Sequence, residues 1–229
     1  MDFFNPVPLQ HSGPSDVTLV RIDIPFALSL EGDLFLALSA DEQARARKFR
    51  RHEDAMRFAV MRAGLRHLLA TRLGVEPTAV QLTVDSRGRP RLCASDPLDF
   101  NLSHSGAHGL IALSSLRRVG VDIEQCIVGL DWRAIAPLAL DVAEIELLLQ
   151  LDVTEAVLTF YDGWVAKEAL LKAAGVGIVR ELNGLVVLPR IGRLVTFRKA
   201  PPANAQTLRA AWVQGPPGYA ACVAWGDTL

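Results

Sequence analysis

Apolar residues follow two different spacings along this chain, and together they predict both helices and strands. From Asp54 to Gly74 they recur at helical spacing, and a second helical segment runs from Thr154 to Ala174, before Gly175. Other short runs alternate apolar and polar side chains, as strands do. The predicted strands are residues 18–24, 81–84, 109–113, 119–124, 185–188, 194–197, 208–213 and 219–224. The pattern predicts an α+β fold.

Shorter elements are predicted around these segments. Residues 1–16 are rich in Pro, Ser, Gly and Asp, which predicts a loosely held arm. Ser39 with Glu42 has the pattern of a capping box that opens a helix. The apolar stretch at residues 132–151 is predicted to be helical and interrupted at Pro137.

The strand at residues 119–124 carries two carboxylates where a buried strand would normally carry only packing residues. Because alternate side chains of a strand point to opposite faces, Asp122 and Glu124 share one face, about 6–7 Å apart at Cα. Carboxylates this close repel each other, and a hard divalent cation such as Mg²⁺ would compensate them. An ordinary solvent-facing strand explains these six residues equally well.

Composition and charge exclude several classes of function. With 229 residues the chain can form one sizeable core or two small ones, and a net charge of −1 recruits neither nucleic acid nor a membrane surface. The three cysteines lie far apart without a C-x-x-C pair, so neither a disulfide framework nor a zinc site is expected. There is no signal-peptide pattern and no run of about 18 apolar residues, so we expect a soluble cytoplasmic protein.

Local charge is more informative than the total. Residues 45–51 hold five cations in seven positions, and Arg57 lies nearby in the following helix. A charge run is usually a solvated face, but the nearest acids lie outside this one, so phosphate binding is the alternative. Arg87, Arg89 and Arg91 are a second basic group, in and just after a turn that contains Gly and Pro.

Two further stretches carry candidate chemistry. A predicted loop at residues 100–106 contains Ser103 and His104, whose hydroxyl and ring N–H groups could bind an anion, although a lone histidine is more often structural. On the second long helix Glu168 and Lys172 lie one turn apart on one face. Taken alone, that pair would be a surface salt bridge.

Four segments, in this order and spacing, resemble the motifs of the Sfp-type 4′-phosphopantetheinyl transferases, which activate carrier proteins of fatty-acid, polyketide and non-ribosomal peptide synthesis. They are GRP at 88–90, FNLSHS at 100–105, VGVDIE at 119–124, and W-x-x-K-E-A-x-x-K-x-x-G-x-G at 164–177. The likeness implies two pseudo-symmetric halves, residues 1–114 and 115–229, each a small antiparallel sheet with a long helix. The active site would lie in the cleft between them.

The resemblance also implies a reaction. A serine of an apo acyl or peptidyl carrier protein would attack the β-phosphate of CoA, the co-substrate, with Mg²⁺ as cofactor, and 3′,5′-ADP would be released. Asp122, Glu124 and Glu168 would be the metal ligands, and Glu168, directly or through a bound water, would be the base for the serine hydroxyl. Lys167 and Lys172 would contact the phosphates, and Lys172 would also stabilise the departing one. The likeness further implies a monomer.

The expected CoA contacts come from three of the motifs and the basic segment. Ser103 and His104 would bind phosphate near the 3′ position, together with Arg57 and with Arg45 and Arg47 of the basic run. Gly88, Arg89 and Pro90 would shape the adenine site through backbone contacts.

One stretch departs from the family pattern, and two other functions compete with the transferase. Where family members often carry a basic and aromatic helix, residues 135–140 read IAPLAL, which bears on the carrier that is preferred. The alternatives are a non-catalytic CoA- or nucleotide-binding module and a metal-dependent phosphohydrolase that uses the same carboxylates. All three carboxylates and both lysines are present, which argues against the non-catalytic module, and no further acid or His pair in the motifs would hold the water that a phosphohydrolase needs.

Overall fold

The computed structural model describes residues 4–9, 13–85, 88–93, 97–175 and 182–228, with Thr228 described by its backbone alone. Ser86, Arg87, Gly177 and parts of the predicted N-terminal arm lie outside the described residues. Within those ranges the helices are α1 (Asp33–Leu36), α2 (Ala40–Ala46), α3 (His52–Leu73), α4 (Trp132–Ala139), α5 (Val142–Leu149) and α6 (Val153–Ala174). The strands are β1 (Phe4–Pro6), β2 (Val17–Asp23), β3 (Leu82–Val84), β4 (Pro90–Leu92), β5 (Asp99–Ser105), β6 (His108–Ser114), β7 (Arg117–Gln125), β8 (Arg209–Trp212) and β9 (Tyr219–Thr228).

A four-stranded antiparallel sheet in the order β1-β2-β6-β5 packs against the long helix α3. Ile22 and Ile111 of the strands meet Met56 and Leu65 of α3 in a buried core. Phe4 pairs with Ile22 and packs against the same core. The prediction of a loose arm is therefore wrong at Phe4–Pro6, because this aromatic side chain anchors the segment to the sheet.

A three-stranded antiparallel sheet in the order β7-β9-β8 packs against the second long helix, α6. Gly120 lies where α6 crosses β7: a Cβ atom there would come within 2.1 Å of the Ala169 carbonyl oxygen. Only glycine permits such a close approach. Since side chains alternate along a strand, Asp122 and Glu124 share with Gly120 the face that α6 covers.

The two sheets pack against each other and are linked through β5 and β7. Val121 and Ile123 of β7 share a buried cluster with Leu19, Leu110 and other residues of the first sheet. Where β5 lies beside β7, side-chain oxygens of β5, and not its backbone carbonyl groups, accept hydrogen bonds from the backbone of β7. Asp99 Oδ2 accepts a hydrogen bond from the Val119 N–H at 2.8 Å, and Asn101 Oδ1 accepts one from the Val121 N–H at 2.9 Å.

Local signals fix the ends of the helices as the sequence predicts. Ser39 and Glu42 form the expected capping box at the start of α2. The helices α3 and α6 end at Gly74 and Gly175, which adopt left-handed backbone angles with φ of 67° and 70°. Asp152 caps α6 by accepting hydrogen bonds from two backbone N–H groups of its first turn.

Two predicted irregular features are replaced by regular structure. The predicted loop at residues 100–106 is mostly strand β5, paired with β6 around a tight turn in which Gly106 has a φ of 54°. Alternation of apolar and polar side chains from Phe100 to Ser103 suits a strand better than a loop. Pro137 lies inside α4, and the helical stretch breaks after Ala139 instead.

Residues 185–188 and 194–197 do not form the two strands predicted there. The N–H groups of Val187 and Leu188 donate to Glu144 Oε1, at 2.8 and 3.1 Å, instead of to a neighbouring strand. Leu194 makes a single bridge to Ala211. A buried carboxylate thus satisfies backbone donors that a ladder would otherwise need.

The observed mixture of helices and antiparallel sheets confirms the predicted α+β class. Pseudo-symmetry between residues 1–114 and 115–229 stays a prediction. In the part of the chain that the structure describes, no helix combines the length and the apolar character needed to cross a bilayer.

Candidate active site

The candidate site lies where α6 crosses β7, next to the end of β5. The close backbone contact at Gly120 sets α6 directly on the acidic face of the strand. Glu168 and Lys172, one turn apart on α6, are thereby brought beside Asp122. Ser103 reaches the same point from β5. The site therefore draws on both sheets and on the longer motifs of the sequence.

Asp122, Lys172 and Ser103 form one hydrogen-bonded cluster. Lys172 Nζ lies 2.6 Å from Asp122 Oδ1, 3.1 Å from the Val121 carbonyl oxygen and 3.3 Å from Ser103 Oγ. The Ser103 hydroxyl donates to the same Asp122 oxygen at 2.7 Å. Three of the predicted site residues thus meet at one carboxylate oxygen.

Other carboxylate oxygens at this place lack partners. Asp122 and Glu168 are 3% and 4% exposed, and among the described residues no side chain or backbone group hydrogen-bonds Asp122 Oδ2 or Glu168 Oε1. A buried carboxylate oxygen without a partner is costly, and a divalent cation would relieve that cost. Hard oxygen donors of this type suit Mg²⁺, so the residues present fit the expected metal.

The carboxylates do not yet form a closed cage. Nowhere in the described ranges do three or more His, Cys, Asp or Glu side chains stand in an arrangement that could already hold a metal ion. Asp122 Oδ1 is instead engaged by Lys172 and Ser103. Binding one ion with Asp122, Glu124 and Glu168 together would therefore require side-chain rotation.

Burial and mutual repulsion change the proton affinity of these carboxyls. Burial raises the pKa of Glu168 to about 7; the nearby Lys172 ammonium opposes this rise, and the Asp122 and Glu124 carboxylates add to it. Burial likewise raises the pKa of Glu124, against a hydrogen bond from Ser105 and with added repulsion from Asp122. Glu168 can therefore take up a proton near neutral pH, as a general base must.

His104 and Arg57 lie together at the end of the β5–β6 hairpin. Arg57 Nε donates to the Gly106 carbonyl oxygen at 2.8 Å, and its Nη1 pairs with Asp54 at 2.7 Å. The side chain of His104 is exposed, yet neighbouring protein desolvates it and the Arg57 guanidinium repels its charged form, so its pKa lies below the ordinary value. These two predicted phosphate contacts are thus brought close together.

Arg45 and Arg47 are exposed and stack on aromatic rings. The guanidinium of Arg45 lies 4.9 Å from the centre of the Phe58 ring, and that of Arg47 lies 4.8 Å from the centre of the Phe35 ring. Stacking leaves the N–H edge of a guanidinium free to bind an anion. Phe49, which is also exposed, packs on Phe58.

Lys167 does not reach the phosphate side of the site, so its predicted role is wrong. Its side chain is fully buried and donates to the Ala139 carbonyl oxygen at 2.7 Å and to the carboxylate of Glu144. Burial lowers the pKa of Lys167, and the Glu144 carboxylate opposes that shift. Because Lys167 lies five residues from Lys172 along the helix, it points about 140° away from it.

Arg89 uses its side chain differently from the predicted backbone role. Its guanidinium donates to the Lys172 carbonyl oxygen of α6 at 2.7 Å, to Asp99 and Phe100 of β5 at 2.9 and 2.7 Å, and to the Val119 carbonyl oxygen of β7 at 3.1 Å. It therefore ties both sheets to the end of α6. Gly88 has a φ of 80° with open space around it, and Pro90 begins β4. An adenine contact by this backbone stays a prediction.

Several residues that position the site were missed from the sequence. Asp99 and Asn101 hold β7 through its backbone, Gly120 admits α6, and Glu144 binds Lys167. For Asp99 and Asn101 the sequence does carry a signal, because a polar side chain stands at every second position from Asp99 to Ser105. Nothing local in the sequence pairs Glu144 with Lys167.

Comparisons with known proteins bear on this geometry. A model described as 4′-phosphopantetheinyl transferase superfamily matches residues 118–224, and one described as 4′-phosphopantetheinyl transferase, N-terminal, matches residues 31–116. The 4′-phosphopantetheinyl transferase HetI of Nostoc sp. is 39% identical over 168 residues, which span 72% of this chain and 71% of HetI. This chain belongs to the 4′-phosphopantetheinyl transferase superfamily.

Other relatives agree with this placement. A 4′-phosphopantetheinyl transferase of Bacillus subtilis is 30% identical over 169 residues, which span 73% of this chain and 74% of that protein. A protein of Synechocystis sp. is 36% identical over 151 residues, which span 65% of this chain and 61% of that protein. The resemblance found in the sequence motifs is confirmed, and the chain is placed among transferase enzymes.

Proposed function

We propose that this chain is a Mg²⁺-dependent transferase that moves phosphopantetheine from CoA to a serine of an apo acyl or peptidyl carrier protein. The serine Oγ forms a bond to the β-phosphorus of CoA, the bond from that phosphorus to the nucleotide oxygen breaks, and 3′,5′-ADP leaves with the electron pair. The proton of the serine hydroxyl passes to the enzyme. We further propose that it acts as a cytoplasmic monomer.

One observation carries this proposal. At the crossing of α6 and β7, Asp122 and Glu168 hold buried carboxylate oxygens without partners, and the ammonium of Lys172 lies 2.6 Å from the first of these carboxylates. Carboxylates that can hold a divalent cation and an ammonium group that can bind a phosphate are the two requirements for pyrophosphate chemistry. Family membership supplies the reaction class.

The chain's own residues account for the proton and the charge. Glu168 accepts the serine proton, directly or through a bound water. Lys172 stabilises the negative charge that develops on the departing phosphate. When bound by Asp122, Glu124 and Glu168, Mg²⁺ would neutralise the pyrophosphate and polarise its oxygens.

Binding of CoA would use residues next to the Asp122 cluster and on the basic segment. His104 and Arg57, with Arg45 and Arg47, supply cations and N–H donors for the 3′-phosphate. Lys167 takes no part, because it is buried against Glu144.

The test is intact-mass spectrometry of an apo carrier protein incubated with this chain, CoA and Mg²⁺. We expect a gain of about 340 Da, the mass of the phosphopantetheine group, and no gain in EDTA. A gain that persists in EDTA would contradict the metal requirement. Absence of transfer to several acyl and peptidyl carriers, despite measurable CoA binding, would favour the non-catalytic binding module.

A further inference from the structure

The ammonium group of Lys172 already has a full set of hydrogen-bond acceptors within the chain, without any phosphate. Its three ammonium contacts are Asp122 Oδ1, the Val121 carbonyl oxygen and Ser103 Oγ, at 2.6, 3.1 and 3.3 Å. An ammonium group has three N–H donors, and each has one acceptor here. The group is therefore a cation already seated at the proposed metal site.

The carboxylate that holds Lys172 is also one that the metal would use. Asp122 Oδ1 also accepts from the Ser103 hydroxyl at 2.7 Å, whereas Asp122 Oδ2 and Glu168 Oε1 have no partner among the described residues. A divalent ion bound at Asp122 and Glu168 would stand within a few ångströms of the ammonium and repel it strongly. The two cations therefore compete for the negative charge of one carboxylate.

Only the side chain of Lys172 is free to move. Its carbonyl oxygen accepts from Arg89 Nη1 at 2.7 Å and from the Gly175 N–H at 3.2 Å, so the backbone is fixed at the helix end. The side chain is 19% exposed and has four rotatable bonds, so it can turn out of the cluster. Movement of the ammonium therefore requires no change in the helix.

We infer that Lys172 and the divalent metal alternate on Asp122. Lys172 neutralises Asp122 until the metal displaces its ammonium, which then turns toward the phosphates of the co-substrate. Metal binding thereby releases the Lys172 ammonium to bind phosphate. The metal and the ammonium compete for the Asp122 carboxylate. This inference rests on the proposed metal-dependent function.

The chain offers a direct observation of this displacement. It contains four lysines, Lys48, Lys167, Lys172 and Lys199. With ¹⁵N-lysine labelling, the hydrogen-bonded ammonium groups of Lys167 and Lys172 are expected to give protected NMR signals, and loss of one signal in Lys172→Met assigns Lys172. We expect Mg²⁺ to abolish or broaden the Lys172 signal and leave that of Lys167, bound to Glu144, unchanged.

Calorimetric titration of the same proteins with MgCl₂ supplies the second readout. We expect Lys172→Met to bind Mg²⁺ about tenfold or more tightly than the wild type, because a competing cation is gone. Lys199→Met, which changes an exposed lysine that pairs with Asp141, is the matched control and should bind as the wild type does.

The outcomes separate this inference from the proposed function. A Lys172 signal that is unchanged at calorimetric saturation with Mg²⁺ would overturn the alternation and leave the metal site standing. Equal or weaker Mg²⁺ affinity in Lys172→Met would overturn it as well. Absence of Mg²⁺ binding in every variant would overturn the metal-dependent function itself. Should Lys172→Met fail to fold, Lys172→Arg assigns the signal and the wild-type titration decides.

Discussion

At the scale of single residues, Glu168 combines a structural cost with a chemical use. It is buried beside two other carboxylates, and one of its oxygens has no partner among the described residues. Burial raises its pKa to about 7, partly offset by Lys172. Before a metal binds, the same environment that disfavours its charge lets it take up a proton near neutral pH.

Replacement of Glu168 by Gln should abolish most transfer and preserve the fold. Glutamine keeps the shape but can neither accept the serine proton nor bind a divalent ion well, so we expect the rate of carrier loading to fall about 10²–10⁴-fold. The measurement is the initial rate of carrier modification, with circular dichroism to check folding. Glu146→Gln, at an exposed position of α5, is the control. A wild-type rate for Glu168→Gln would refute the assigned role.

The raised pKa of Glu168 also predicts how stability depends on pH in EDTA. Its carboxyl binds a proton more tightly in the native state than in the unfolded state, where its pKa lies near 4.5. The stabilising effect of that proton is therefore complete below about pH 4.5 and is lost as the pH rises to about 7. Relative to Glu168→Gln, the wild type should lose on the order of 3 kcal/mol across this window. Urea unfolding at several pH values tests this; a constant difference would contradict the shift.

At the scale of elements, the crossing of α6 over β7 decides whether the site exists. No side chain separates the two backbones at Gly120, and this contact places Glu168 and Lys172 beside Asp122. Two acidic residues on a strand and a Glu–Lys pair on a helix are ordinary features separately. Close backbone packing turns them into one charged cluster.

Gly120→Ala should therefore be far more damaging than its size suggests. The added Cβ would lie 2.1 Å from the Ala169 carbonyl oxygen and 2.5 Å from the Ala173 nitrogen, both of them backbone atoms that cannot rotate away. We expect a loss of about 3 kcal/mol or more, or failure to fold. Gly129→Ala, with nothing within 4 Å of the new methyl group, should be nearly neutral. Thermal melting of the two variants provides the comparison, and similar melting temperatures would contradict the crossing geometry.

At the scale of the whole molecule, a feature could be predicted from the sequence when it is determined by residues that are close together along the chain. The capping box at Ser39 and the ends of α3 and α6 were predictable, because each is fixed by a few neighbouring residues. Asp122 and Glu168 were identified through motifs of fixed spacing. Lys167 was assigned the wrong role because its partner Glu144 lies 23 residues away, and no local pattern joins them.

Arg89 shows how one distant set of contacts holds the molecule together. Its guanidinium bonds to backbone carbonyl oxygens of β5, β7 and α6 and to the carboxylate of Asp99. Of these four partners Arg91 contacts only Asp99, and its side chain is 43% exposed. Removing a buried cation leaves its acceptors unpaired, so we expect Arg89→Met to lower the free energy of unfolding by about 3–5 kcal/mol. Arg91→Met should cost about 1 kcal/mol or less, since exposed pairs contribute little.

Urea denaturation of the two arginine variants measures this difference on a matched pair, because both side chains bind the same aspartate. Arg89 also joins the strand that bears Ser103 to the strand that bears Asp122, so its loss should loosen the cluster and slow carrier loading even at temperatures where the variant remains folded. Equal losses of stability in Arg89→Met and Arg91→Met would show that Arg89 stabilises the fold through its ion pair with Asp99 and not through the link between the two sheets.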